Sequence, residues 1–93
     1  MAVVHIPGKK SHRIMLYALS TCGWCKKTKN LLDTLGVAYD YMDVDNLQGD
    51  EKAKAIREVA AWNPGSGFPT LVIDDKKCII GFRENEIREA LEK

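Results

Sequence analysis

The strongest constraint on this chain is an alternation of short apolar runs with stretches of helical period, punctuated by glycine and proline. Arg13 to Leu19 is apolar enough for a buried first strand. Ser20 or Thr21 can cap a helix after it. From Trp24 to Leu35, the apolar residues fall at Trp24, Cys25, Thr28, Leu31, Leu32 and Leu35. That is one face of a helix, and Gly36 supplies its stop. Val37 to Val44 reads as a second strand, and Asp50 to Ala61 as a second helix through Ala53, Ile56, Val59 and Ala60. Asn63 to Gly67 is a loop by its proline and glycines. Thr70 to Ile73 and Lys77 to Ile80 form a hairpin across Asp74-Asp75-Lys76. After Gly81, Glu84 to Leu91 is a last helix with Ile87, Ala90 and Leu91 on one face. The predicted order is β-α-β-α-β-β-α. It implies an α/β domain with a four-stranded mixed sheet flanked by three helices.

Residues 1–12 carry Pro7, Gly8 and two lysines, and read as a flexible leader to a single domain over residues 13–93. The chain has 93 residues, 45% of them hydrophobic and 29% charged, so one small core closes without staples or a structural metal. The formal net charge of +1 excludes the broad basic field of a nucleic-acid binder. No apolar stretch is long enough to span a bilayer, and residues 1–13 lack the pattern of a secretory signal. A cytoplasmic monomer, with no nucleic-acid or membrane partner, is expected.

The three cysteines are too few, and odd in number, for a disulfide framework. Cys22 and Cys25 lie at the predicted first strand-to-helix junction. There the free N–H groups and the positive dipole end of the helix favour a thiolate, which is the nucleophilic form. The i,i+3 spacing sets both sulfurs on one side of the helix. Cys22, at the end, is read as the attacking sulfur. Cys25, turned into the helix–sheet interface, is read as the buried resolving sulfur. A zinc site would need a second ligand pair. His5 and His12 lie in the leader and Cys78 stands alone, so no metal is expected. Trp24 offers an aromatic contact to a protein substrate, whereas Trp62 reads as a loop anchor and Cys78 as a small buried hydrophobe.

Thr21-Cys22-Gly23-Trp24-Cys25-Lys26, Gly67-Phe68-Pro69-Thr70 and Gly81-Phe82-Arg83 together resemble the glutaredoxins of the thioredoxin superfamily. The resemblance runs from about Ile14 to Leu91 and implies a thioredoxin-like fold. It implies a thiol–disulfide oxidoreductase, with Cys22 and Cys25 catalytic and Gly23, Trp24, Phe68, Pro69, Gly81, Phe82 and Arg83 around the substrate. It also implies a cis peptide before Pro69, with the Phe68 backbone offered to the substrate chain.

Two departures refine this. Glutathione-dependent members carry a lysine where this chain has Leu19, and Gly-Gly with a Thr/Ser-Asp segment where it has Gly81-Phe82-Arg83-Glu84-Asn85. The Gly-Phe-Arg string is similar to the hydrogen-donor redoxins of ribonucleotide reductase (NrdH-type redoxins). That similarity implies protein disulfides as substrates, ribonucleotide reductase among them, and electrons from a dedicated disulfide reductase. No cofactor beyond the dithiol is then expected. The alternatives are a glutathione-dependent glutaredoxin and a glutaredoxin-type iron–sulfur cluster carrier, the latter because Gly23 comes directly after the first cysteine.

Overall fold

The computed structural model describes residues 3–65 and 67–92. Its elements are β1 (Val4–Ile6), β2 (Ile14–Ala18), α1 (Gly23–Leu35), β3 (Tyr39–Asp43), a 3-10 turn (Val44–Asn46), α2 (Gly49–Trp62), β4 (Thr70–Ile73), β5 (Lys77–Ile80) and α3 (Glu84–Leu91). The sheet runs β1-β3-β2-β4-β5. Only β2 and β3 are parallel, joined by the crossover helix α1, and the other pairs are antiparallel.

Two cores sit on the two faces of this sheet. Leu31 and Leu32 of α1 and Ile87 and Leu91 of α3 close over Leu16, Leu71 and Ile79. On the other face, Ala55 and Val59 of α2 meet Tyr17, Met42 and Val72. The alternation along β2 and β4 therefore feeds both layers, as a doubly covered sheet requires.

The sheet has five strands, where four were expected. Val4, His5 and Ile6, placed by the sequence in a loose leader, pair antiparallel with Tyr41, Asp40 and Tyr39. Three residues are too few to show a period, so the strand is visible only once β3 offers its edge. Gly8 makes the approach feasible. A Cβ there would stand 2.6 Å from the Val37 carbonyl carbon, and Lys9 beside it bridges to Val37. The end of the same segment is tied to the β4–β5 turn. The Arg13 N–H donates to Asp74 Oδ1 at 2.8 Å, and His12 Nδ1 lies 2.8 Å from Asp74 Oδ2.

The strand predicted over 37–44 is shorter at both ends: Val37 makes only an isolated bridge to Lys9, pairing begins at Tyr39, and Val44 leaves for the 3-10 turn. Asp74 and Asp75 take φ of 55° and 53°, the left-handed region that aspartate tolerates in tight turns. Gly36 ends α1 at φ 70°.

Candidate active site

β2 ends at Ala18, and the chain crosses Leu19, Ser20 and Thr21 to reach α1. Asp45, in the 3-10 turn after β3, fixes this crossing. Its carboxylate accepts the Ser20 N–H at 2.9 Å and the Ser20 hydroxyl at 2.6 Å. The Ser20 hydrogen bonds hold the Asp45 carboxyl below its ordinary value. The Cys22 N–H donates back to the Leu19 carbonyl at 3.2 Å.

The cap expected from Ser20 or Thr21 is made by Cys22 itself. Its backbone is extended (φ −85°, ψ 119°), and its Sγ accepts the Cys25 N–H at 3.2 Å. A cysteine sulfur thus occupies the place of a capping hydroxyl, aimed at by a helix amide and by the positive end of α1. The two thiols differ sharply in setting. Cys22 is half-buried and Cys25 is fully enclosed. Burial is the largest cause that pushes the Cys25 thiol up, followed by its hydrogen bond with Cys22, while the Leu19 backbone and Lys29 pull it down. Cys25 is therefore a neutral thiol at physiological pH. Lys29, one turn along α1, pairs with Asp43 at 3.1 Å and lies 4.0 Å from the centroid of the Tyr41 ring.

The other wall comes from the loops before β4 and after β5. The Phe68–Pro69 peptide is cis. The Gly81 N–H donates to the Pro69 carbonyl at 2.8 Å, which joins the two loops. Phe82 stacks on Trp24 with ring centroids 6.0 Å apart and planes 25° apart, which joins them to the first turn of α1. Cys22, Phe68 and Phe82 all pack against the α1–α3 core. Cys22, Trp24, Phe82, Gly81, Pro69 and Phe68 are thereby brought to one edge of the domain.

Trp24 remains 58% exposed, and Lys27 sits 4.6 Å from its ring centroid. Gly23 faces open space, since a Cβ there would meet nothing within 4 Å. Arg83 turns back: its Nε donates to the Ile80 carbonyl at 3.1 Å and lies 4.0 Å from Glu86. Leu19 packs at the margin of the α2 core, as do Trp62 and Phe68. Cys78 is half-buried on the edge strand β5.

Three residues that shape this edge were not singled out by sequence. Asp45 and Lys29 had no signal, because their partners are remote in the chain. Asn63 had one, since asparagine directly after a helix and before Pro-Gly favours side-chain hydrogen bonds to the next backbone amides. Among the described residues, no three His, Cys, Asp or Glu side chains cluster in a way that could hold a metal ion. No helix of the described residues is long and apolar enough to cross a membrane.

A mixed sheet with three helices, and a dithiol at the N-terminus of its first helix, defines a thiol oxidoreductase of the thioredoxin-like class. Comparisons with known proteins agree. A family model described as Glutaredoxin matches residues 14–79. A glutaredoxin-like protein of 8.6 kDa from the rubredoxin operon of Clostridium pasteurianum is 38% identical over 86% of this chain and 99% of its own length. The crystal structure of a glutaredoxin from Methanosarcina mazei superposes with a TM-score of 0.91 at 48% identity, covering 100% of this chain and 90% of that one. That of methanoredoxin from Methanosarcina acetivorans gives 0.89 at 50% identity, covering 92% and 90%. The chain belongs to the glutaredoxin family.

Proposed function

We propose that this glutaredoxin-type oxidoreductase reduces protein disulfides, with Cys22 as the attacking and Cys25 as the resolving sulfur. The observation that carries the reading is the asymmetry of the two thiols: Cys22 at the helix end accepting an amide N–H, Cys25 enclosed and neutral. The Cys22 thiolate attacks one sulfur of the substrate disulfide. A Cys22–substrate disulfide forms and the other substrate sulfur leaves as a thiolate. Cys25 then gives up its proton and attacks Cys22 Sγ. The internal disulfide closes and the second substrate sulfur leaves. Two electrons pass to the substrate, whose thiolates take up two protons, and the dithiol is spent.

Burial of Cys25 suits this order. A neutral resolving thiol does not compete for the first attack, and it ionises only when the mixed disulfide is in place. Trp24, Phe82 and Gly23 line the approach to Cys22, and the Phe68 backbone next to Pro69 takes the substrate chain.

The dithiol is recharged by a dedicated disulfide reductase, and ribonucleotide reductase is among the acceptors. The first part is supported by what flanks the site. Leu19 offers no cation for a glutathione carboxylate, and the Arg83 Nε is turned back to the Ile80 carbonyl. The test is the midpoint potential of the Cys22–Cys25 couple with turnover assays beside it. A value of about −270 mV or lower, with turnover independent of glutathione, supports the reading. A value of roughly −200 to −230 mV with glutathione-driven turnover replaces it with a glutathione-coupled role.

A further inference from the structure

The loop that leads into Phe68 is built on one buried side chain. Asn63 is 5% exposed and closes α2, where its own N–H donates to the Val59 carbonyl at 2.7 Å. Its carboxamide then turns into the adjoining loop. Oδ1 accepts the Gly65 N–H at 3.1 Å, and Nδ2 donates to the Gly67 carbonyl at 3.2 Å and lies 3.3 Å from Thr70 Oγ1. Thr70, fully buried at the start of β4, donates its hydroxyl to the same Gly67 carbonyl at 2.7 Å. The loop lies directly on this amide: a Cβ at Gly65 would stand 3.4 Å from Asn63 Oδ1, and one at Gly67 3.6 Å from Asn63 Nδ2.

We propose that Asn63, acting with Thr70, is a positioning residue for substrate capture, holding Gly65 and Gly67 so that the Phe68 backbone keeps one register at the Cys22 edge. This rests on the reading that Phe68 takes the substrate chain. The residue type is dictated by the geometry. The loop offers one N–H and one carbonyl to the same side chain, so the side chain must carry an acceptor and a donor on one short planar group. Aspartate would set an oxygen against the Gly67 carbonyl, and leucine would answer neither group. Such buried polar networks hold a unique geometry when every member is satisfied, and a lost partner is expensive there. A substrate strand that pairs with a backbone needs that backbone already placed, because a displacement of about 1 Å is enough to cost large factors in rate. The hydrogen bonds of Asn63 and the Thr70 hydroxyl run to Val59, Gly65, Gly67 and each other, so their influence falls on recognition and leaves the thiol chemistry of Cys22 alone.

The experiment compares two rates in the reduced full-length protein. Alkylation of Cys22 by iodoacetamide needs no backbone recognition, whereas reduction of a short extended peptide carrying a disulfide does. In Asn63→Asp and Thr70→Val, kcat/KM for the peptide falls about tenfold or more, mainly through KM, while alkylation stays within about twofold. Thr70→Ser, which keeps the hydroxyl, restores the peptide rate. Thr70→Val is nearly isosteric and carries the test where Asn63→Asp does not fold, with near-ultraviolet circular dichroism as the check. An unchanged peptide rate overturns the proposal, and so does a parallel fall of both rates, which marks a merely structural role. A wild-type protein that is alkylated normally yet never reduces the peptide overturns the reductase reading itself, and this inference with it.

Discussion

The two segments that meet at the reactive edge are held by opposite means. The Cys22 turn is pinned from outside by Asp45, an exposed carboxylate that grips Ser20. The Phe68–Pro69 loop is pinned from inside by Asn63 and Thr70, both buried. Water competes for every hydrogen bond of the first clamp, whereas the second has its side-chain groups buried and only its loop glycines at the surface, so the second costs more to break. The contrast matches the work of each segment. A turn that carries a nucleophile must admit a bulky disulfide and change partners twice per turnover. A loop that offers only its backbone is useful in proportion to how little it moves.

The largest effect should come from the sulfur on the exposed side. Cys22→Ser should reduce disulfide turnover by at least about a thousandfold on any substrate, because a hydroxyl does not ionise under these conditions. Cys25→Ser should instead accumulate a Cys22-linked mixed disulfide, readable by mass spectrometry. An adduct of similar yield on Cys25 in the Cys22→Ser protein would exchange the two roles.

Next comes the buried clamp. Asn63→Ala leaves the Gly65 N–H without its acceptor and the Gly67 carbonyl with Thr70 as its remaining donor, and should lower stability by about 1–3 kcal/mol in urea unfolding. A loss no larger than that of an exposed hydrogen bond would erase the contrast between the two segments.

The pH dependence sharpens it from both ends. The folded value of Cys25 is raised from 9.0, so below 9.0 the reduced protein carries no penalty from it. Stability is lost as the pH climbs through the alkaline range toward the folded value, since the native state retains a proton the unfolded chain gives up. Tyr17 and Tyr39 are raised as well. The Cys25 share is therefore the difference in slope between wild type and Cys25→Ala from about pH 9 upward; equal slopes would show that Cys25 ionises freely. Asp45 acts at the acid end with the reverse sign. Its folded value lies below 3.8, so its contribution is complete above that pH and fades as the pH falls through the folded value.

The smallest effect is that of the exposed clamp on stability. Asp45→Ala should shift the urea midpoint less than Asn63→Ala does, yet it should change the alkylation rate of Cys22, since the Ser20 anchor governs the turn that presents the sulfur. A large loss of stability with unaltered alkylation would assign Asp45 to the scaffold.

What the sequence determined by itself is what depends on neighbours close in the chain. The apolar and helical stretches marked β2, all three helices and the β4–β5 hairpin to within a residue or two, but on α2 the buried face is Ala55 and Val59, while Ala53, Ile56 and Ala60, expected on it, are exposed. The i,i+3 spacing of Cys22 and Cys25 at a strand-to-helix junction was enough to expect one outer and one enclosed thiol. Resemblance carried the cis peptide before Pro69. The tertiary structure decided whatever needs a partner brought back by the fold. β1 exists because β3 presents an edge to Val4–Ile6. Arg13 and His12 find Asp74 only when the hairpin returns, and Ser20 finds Asp45 across the crossover. Even the cap of α1 passed from Ser20 or Thr21 to Cys22, because the helix begins only at Gly23 and Cys22 is the extended residue before it. Periodicity records which face of an element is dry. It carries no record of which distant polar group will arrive beside a given side chain, and hydrogen bonds at this edge are set by those arrivals.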